Sequence, residues 1–412
     1  MTNWQQVKLG DICEITSSKR IFMADYVASG IPFYRSKEII EKQRGNNITT
    51  ELFITEEKYE EIKQKFSVPQ EGDILLTSVG TLGIPYVVRK NERFYFKDGN
   101  LTWIKRSNSL FPEYLYYFLD SSEGKLKLEN ISIGTTQKAI TIVGLKSLEI
   151  PLPSIDVQKK IAGVLGALDD KIELNNKINN NLEQQAQALF NEKILNNPKQ
   201  GCIGDYCSIK SGFAFKSSWW QDVGVRVIKI KNIESSRLNL QECSYVSEDK
   251  ISIAKDFVVK GGDLLIAMTG ATIGKFAIVP HVDEILLVNQ RVGKFFLGDN
   301  PLEKLPFIYC TLKQPEVVSE IINRGQGSAQ PNISGNDIMS ITCTYPDENI
   351  IANFNNICRP YFEKIIMNQY ENTRLSALRD ALLPKLMSGE IDVSNVDISA
   401  LTSADKLSFS KD

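Results

Sequence analysis

Between residues 156 and 190 the chain carries an apolar stripe that recurs, position for position, 193 residues later. Stepping by four and three through DVQKKIAGVLGALDDKIELNNKINNNLEQQAQALF picks out Ile161, Leu165, Leu168, Ile172, Asn175, Asn179, Leu182, Ala186 and Leu189. That spacing keeps them all on one helix face, the seam of a coiled coil. At about 1.5 Å per residue the helix runs roughly 50 Å, too long to be buried within one small domain. The second stripe is Phe354, Cys358, Tyr361, Ile365, Asn368, Asn372, Leu375, Arg379 and Leu382. Each copy is the natural partner of the other. If they run antiparallel, residues whose numbers sum to 547 face each other: Leu165 with Leu382, Ile172 with Leu375, Asn175 with Asn372, Asn179 with Asn368, and Leu182 with Ile365. A polar layer in an apolar seam costs stability and fixes register and orientation.

The repeat extends upstream of the helices. GDICEITS at 10–17 returns as GDYCSIKS at 204–211, and EGDILLTSVG at 71–80 as GGDLLIAMTG at 261–270. GIPFYRSKEI at 30–39 matches GVRVIKIKNI at 224–233, and KSLEIPLP at 146–153 matches MSITCTYP at 339–346. The order is kept and the offset stays between 190 and 194, so one unit is written twice. Within each copy a Gly-Asp turn opens an apolar strand, a glycine loop follows, and a second strand completes a hairpin. Short helices are expected at 112–121 and 304–313. The expected fold class is α+β: two duplicated globular domains joined by two long helices in an antiparallel, pseudo-twofold coiled coil. The expected boundaries are 1–153 and 198–346 for the globular domains, 154–197 and 347–391 for the helices, and 392–412 for a polar tail. Pro384 should kink or end the last helix, with Gly389 capping the remainder.

Several chemistries are disfavoured. The formal net charge is -2, so any positive potential must be local. Seven scattered Cys without a CxxC, and a single His, His281, argue for reduced packing thiols in a cytoplasmic protein and against a transition-metal site. There is no apolar run of membrane length. GATIGK at 270–275 lacks Walker A spacing. Asp73 and Asp263 sit in turns and are read as structural, and Asp169-Asp170-Lys171 as a solvated helix face.

What remains is polar, basic and carried by loops. The first copy offers Lys19, Arg20, Arg35, Lys37, Ser78, Thr81, Thr136, Gln137 and Lys138. The second offers Lys216, Lys229, Lys231, Thr269, Thr272, Lys275, Gln290, Arg291, Gln326, Ser328, Gln330 and Asn332. Lys and Arg grip phosphates, Arg suits guanine, and Gln and Asn suit adenine. The set has weight because these positions fall in matching places of two copies.

The chain resembles the specificity subunit of a Type I restriction–modification enzyme. The resemblance rests on WQQVKLGDI at 4–12, the GDILL and GDLLI turns, IPLPSIDVQKKIAGVLGALDDKIELN at 150–175, and LRDALLPKLMSGEID at 378–392. It implies two target recognition domains, each reading one half of a gapped site in double-stranded DNA. It implies a coiled-coil spacer that docks two methylation subunits, with restriction (motor-nuclease) subunits joining through them. It also implies no catalytic residue or cofactor in this chain, with S-adenosylmethionine, ATP and Mg on the partners. Half-sites about one helical turn, ~34 Å, apart suit a rigid helix pair. Two other readings stay open: a coiled-coil adaptor that does not touch DNA, and an enzyme using the glycine loops on a phosphorylated small molecule.

Overall fold

The computed structural model describes residues 4–43, 48, 50–135, 138–234, 236–326 and 331–397. The chain forms two compact units, Met1–Glu173 with Leu375–Asp412, and Leu174–Arg374. Both long helices therefore contribute to both units.

In the first unit a four-stranded antiparallel sheet takes the order Ile15–Thr16, Leu101–Ile104, Ile74–Thr77, Pro85–Val87. The expected hairpin is its last pair, with Ile74 opposite Val87. Gly72 adopts a φ of 85°, a left-handed turn conformation that a β-carbon would strain. Asp73 is a strut inside the fold. Its carboxylate accepts hydrogen bonds from the backbone N–H groups of Gln70 and Arg106 and from the Trp103 indole, all at 2.8–2.9 Å.

The second unit repeats this sheet as Ser208–Ser211, Val292–Phe296, Leu264–Ala267, Phe276–Ile278. Asp263 occupies the same turn, but Lys294 stands where the first unit has Trp103. Its ammonium lies 3.0 Å from the Asp263 carboxylate. One buried carboxylate thus has two solutions, an indole N–H in one copy and a charge in the other.

A second sheet also recurs, with three strands in common. They are Phe53–Ile54, Ile31–Tyr34 and Tyr95–Phe96 in the first unit, and Ser244–Val246, Val225–Ile228 and Leu286–Val288 in the second. The last two of each trio run parallel. The edges differ. The first unit adds Tyr26–Val27 beside Phe53–Ile54, whereas the second adds Val258–Val259 beside Leu286–Val288. The expected short helices form as Pro112–Asp120 and Leu305–Leu312.

The long helices are Ile155–Phe190, continued by a π-helical turn Asn191–Leu195, and Glu348–Met387. Pro384 does not end the second helix. Leu383, Leu386 and Met387 are buried in the first unit's core and hold the last turn, and Gly389 follows at a φ of 70°. In the second unit the polar layer pairs as the sequence requires. Asn175 Nδ2 donates to Asn372 Oδ1 at 2.8 Å, and Asn368 Nδ2 donates to Asn179 Oδ1 at 2.8 Å. One number rises while its partner falls, so the helices are antiparallel. Leu182, Ala186 and Phe190 then pack with Phe354, Cys358 and Ile365. In the first unit Ile161 and Leu165 pack with Leu382, Leu383 and Leu386. Leu168, Ile172 and Leu375 are half-buried.

Two buried amides tie the helix starts to the domains. Gln158 accepts from the Phe111 N–H at 2.8 Å and donates to the carbonyls of Ser109 and Pro153. Asn355 accepts from the Phe307 N–H at 2.9 Å and donates to the Tyr206 hydroxyl. Asp169 corrects the solvated-face expectation: it accepts from the Tyr117 hydroxyl and from Arg379, both at 2.7 Å. Burial first, then the Asp169 charge, push the Tyr117 hydroxyl up, so it stays a donor. Among the described residues no helix is long and apolar enough to cross a membrane.

Candidate nucleic-acid interface

Four chain segments of the second unit meet around an open depression of about 520 Å³, lined by Ser211, Thr269, Gln290, Arg291 and Asn332. Each arrives at the end of a regular element. Ser211 closes its strand, Thr269 leaves the strand Leu264–Ala267, and Gln290-Arg291 lead into Val292–Phe296. Backbone hydrogen bonds fix the frame. The Met268 N–H donates to the Arg291 carbonyl at 3.0 Å, and the Gln290 N–H to Phe213 at 2.9 Å. The Gly270 N–H donates to the Pro331 carbonyl at 2.9 Å and the Asn332 N–H to Gly325 at 3.0 Å. Arg324 braces this last loop, donating to the Asp337 carbonyl at 2.8 Å and to Glu320 at 2.7 Å.

With main chains so held, the side chains of Gln290, Arg291 and Asn332 project to solvent. Thr269 is 8% exposed, and its hydroxyl has no hydrogen-bond partner. Two carboxamides and a guanidinium on a fixed frame present the donor and acceptor pairs that match adenine and guanine edges. Sequence reasoning named four of these five residues. It missed Ser211, although the repeated Ser closing the G-D-x-C-x-I-x-S motif was the available signal.

Cations flank the depression's domain. Lys216 and Lys250 lie over the Trp219 ring at 5.6 and 4.8 Å, and Lys229 lies 3.5 Å from the Trp220 centroid. Burial, and then the neighbouring Lys231, hold the Lys229 ammonium below its usual range. Lys231 and Lys275 are exposed, and the Thr272 hydroxyl caps the Thr269 carbonyl at 3.3 Å. Gln326 is exposed, whereas Ser328 and Gln330 lie outside the described residues. Sequence reasoning missed the two tryptophans.

The first unit keeps the frame and changes the side chains. The Ser78 N–H donates to the Asn100 carbonyl at 2.8 Å, as Met268 does to Arg291. Val79 bridges Ala139 as Thr269 bridges Asn332. Ser78 corrects the sequence expectation. It occupies the place of Met268, is 3% exposed, and bonds to the Thr102 hydroxyl at 2.6 Å, so it faces the interior.

The cations of this unit are spread over its second sheet and loops. Arg20 pairs with Asp98 at 2.8 Å, Lys138 with Glu129 at 2.7 Å, and Lys19 lies 5.1 Å over Phe66. Exposed pairs of this kind contribute little and can be exchanged for phosphate. Arg35 is held more firmly, 2.6 Å from the buried carboxylate of Glu38. Lys37 and Thr81 are exposed, and Thr136 and Gln137 lie outside the described residues.

Comparison with known proteins gives this frame a family. The Type I restriction modification DNA specificity domain matches residues 1–184 and again 197–354. The specificity subunit of the MjaIX Type I restriction enzyme of Methanocaldococcus jannaschii is 27% identical over 425 residues, covering 96% of this chain and 95% of its own. That of the HindI Type I enzyme of Haemophilus influenzae is 23% identical over 468 residues, covering 95% and 100%. The crystal structure of the Type I restriction–modification S subunit from M. genitalium superposes with a TM-score of 0.56 at 18% identity, covering 93% of this chain and 96% of that one. Twice matched along its length, the chain belongs to the Type I restriction–modification DNA specificity family.

Proposed function

We propose that this chain is the DNA-reading subunit of a Type I restriction–modification complex. Residues 1–153 and 198–346 each read one half of a bipartite, gapped duplex site. The observation that carries this is the convergence of Thr269, Gln290, Arg291 and Asn332 on one depression. The helices, passing from one unit to the other, set the gap and dock two methylation subunits, through which restriction subunits join. The chemistry is left to those partners, which supply S-adenosylmethionine, ATP and Mg. This chain adds no catalytic group, and the assembly works in the cytoplasm. The two buried turn aspartates suit that division, since both are occupied as struts.

The test is a domain exchange followed by genome-wide mapping of methylated bases. Replacing residues 1–153 with the corresponding segment of another specificity subunit should change one half-site and leave the other. Inserting one heptad into each long helix, at facing positions, should change the gap and neither half-site. An unchanged site in both experiments would favour an adaptor that does not touch DNA.

A further inference from the structure

The two units share a frame, yet the lining of the depression does not carry over. The backbone bonds and strand registers place Val79, Gly99, Asn100 and Ala139 of the first unit where the second has Thr269, Gln290, Arg291 and Asn332. Three of those four replacements cannot form a side-chain hydrogen bond. The first unit has something else, linked to this place through the Arg20–Asp98 bond. Phe22 and Met23, adjacent in sequence, are 64% and 91% exposed.

The turn that carries them is fixed. Ile21 before them is buried, and Met23–Asp25 form a 3-10 turn. Asp25 closes that turn by accepting from the Phe22 N–H at 3.0 Å, and Lys58 lies 3.5 Å from its carboxylate. The Lys19 N–H, two residues before Ile21, is pinned to the Tyr95 hydroxyl at 2.6 Å. Two large apolar side chains are thus held out in water by a braced turn rather than scattered on a loop. Cations stand beside them: Lys19 over Phe66, and Arg20 bonded to Asp98. Asp98 immediately precedes Gly99 and Asn100, so the Arg20–Asp98 bond ties the segment leading into the turn to the strand end that carries them.

We propose that Phe22 and Met23 form a wedge that enters a base step of the half-site read by the first unit. The inference rests on the DNA-reading role proposed above and assigns the two units different physics. The second reads base edges by hydrogen bonds. The first opens a step with apolar side chains while Lys19 and Arg20 hold the flanking phosphates. Insertion unstacks a step and bends the duplex, and flexible pyrimidine–purine steps yield most readily. Part of the first half-site's specificity is then a deformability preference at a position without a base-edge hydrogen bond.

The experiment uses the full chain bound to its methylation subunits and a duplex carrying the mapped recognition site. 2-Aminopurine is placed in turn at each step of the half-site that the domain exchange assigns to residues 1–153. Its fluorescence should rise at one step. Met23→Ser and Phe22→Ser should each abolish the rise and weaken binding about tenfold. Val143→Ser removes a residue 77% exposed elsewhere in the same unit and should leave both unchanged. A wild-type complex that binds the duplex while every step stays dark would overturn the wedge. So would variants that lose the methylation subunits on size-exclusion chromatography, which would make the turn a protein-docking surface. A wild-type complex that fails to bind the duplex at all would instead refute the DNA-reading role itself.

Discussion

Replacing the buried pair Asn179–Asn368 by leucine, singly and together, isolates what the polar layer contributes. Asn368 is 1% exposed and its amide donates to Asn179 at 2.8 Å, while its own carbonyl oxygen already lacks a partner. Asn179→Leu therefore strands a buried carboxamide, and Asn368→Leu strands the other. A buried polar group left without its partner costs about 1–3 kcal/mol. Each leucine also gains apolar burial, but that gain enters the two single variants and the double variant alike. It cancels in the thermodynamic cycle. What survives is the stranding cost, present twice in the sum of the singles and absent from the double. The double variant should therefore be more stable than additivity predicts by at least about 2 kcal/mol. For a unit of this size that is a shift of roughly 4–8 °C in the calorimetric transition. Additive single and double effects would show that the amides are solvated and the layer is not a paired one. The double variant should also relax register. With methylation subunits present, it should methylate duplexes whose gap is one base pair longer or shorter, which the wild type rejects.

Gln158→Ala removes three hydrogen bonds inside the first unit and strands the Phe111 N–H, so that unit should lose about 2–3 kcal/mol by denaturant unfolding, with the second unit's transition unmoved. Glu38 is 2% exposed; burial opposes its charge, but bonds from the Arg35 side chain and backbone prevail and hold its carboxyl below the ordinary value of 4.5. A depressed folded pKa contributes stability that is present above the unfolded value and lost as pH falls through the folded one. Glu38→Gln should therefore flatten the stability profile below about pH 4.5, and an unchanged acid limb would refute the pairing. Burial pushes the thiols of Cys207 and Cys343 up to about 12, and those of Cys13, Cys243 and Cys358 up to about 11. Cys202 is half-buried, so N-ethylmaleimide followed by peptide mapping should label it first and the others only on unfolding.

What the sequence disclosed and what it hid divide along one physical line. Helix and hairpin patterns are local, and a duplicated chain states each of them twice. The long helices, the Gly-Asp turns and the facing Asn pairs were therefore legible before any coordinate. The missed features depend on which distant segments meet. Asp169 looks solvated until Arg379, 210 residues later in the chain, arrives beside it. Pro384 should kink or end the last helix, and it does not end it: the helix runs on to Met387, its last turn held by the buried Leu386 and Met387. The candidate interface turned on a single position. In a strand, adjacent residues face opposite ways, and Ser78 aligns with inward Met268 while Val79 aligns with Thr269 at the depression. A polar residue one step out of phase becomes core, and the apolar one beside it takes the interface. The second unit's two carboxamides are missing for a separate reason: Gly99 and Ala139 stand where Gln290 and Asn332 do. A half-site read through Val79 and Ala139 needs a source of specificity other than the donor and acceptor code, and the exposed turn at Phe22 is where this fold holds one ready.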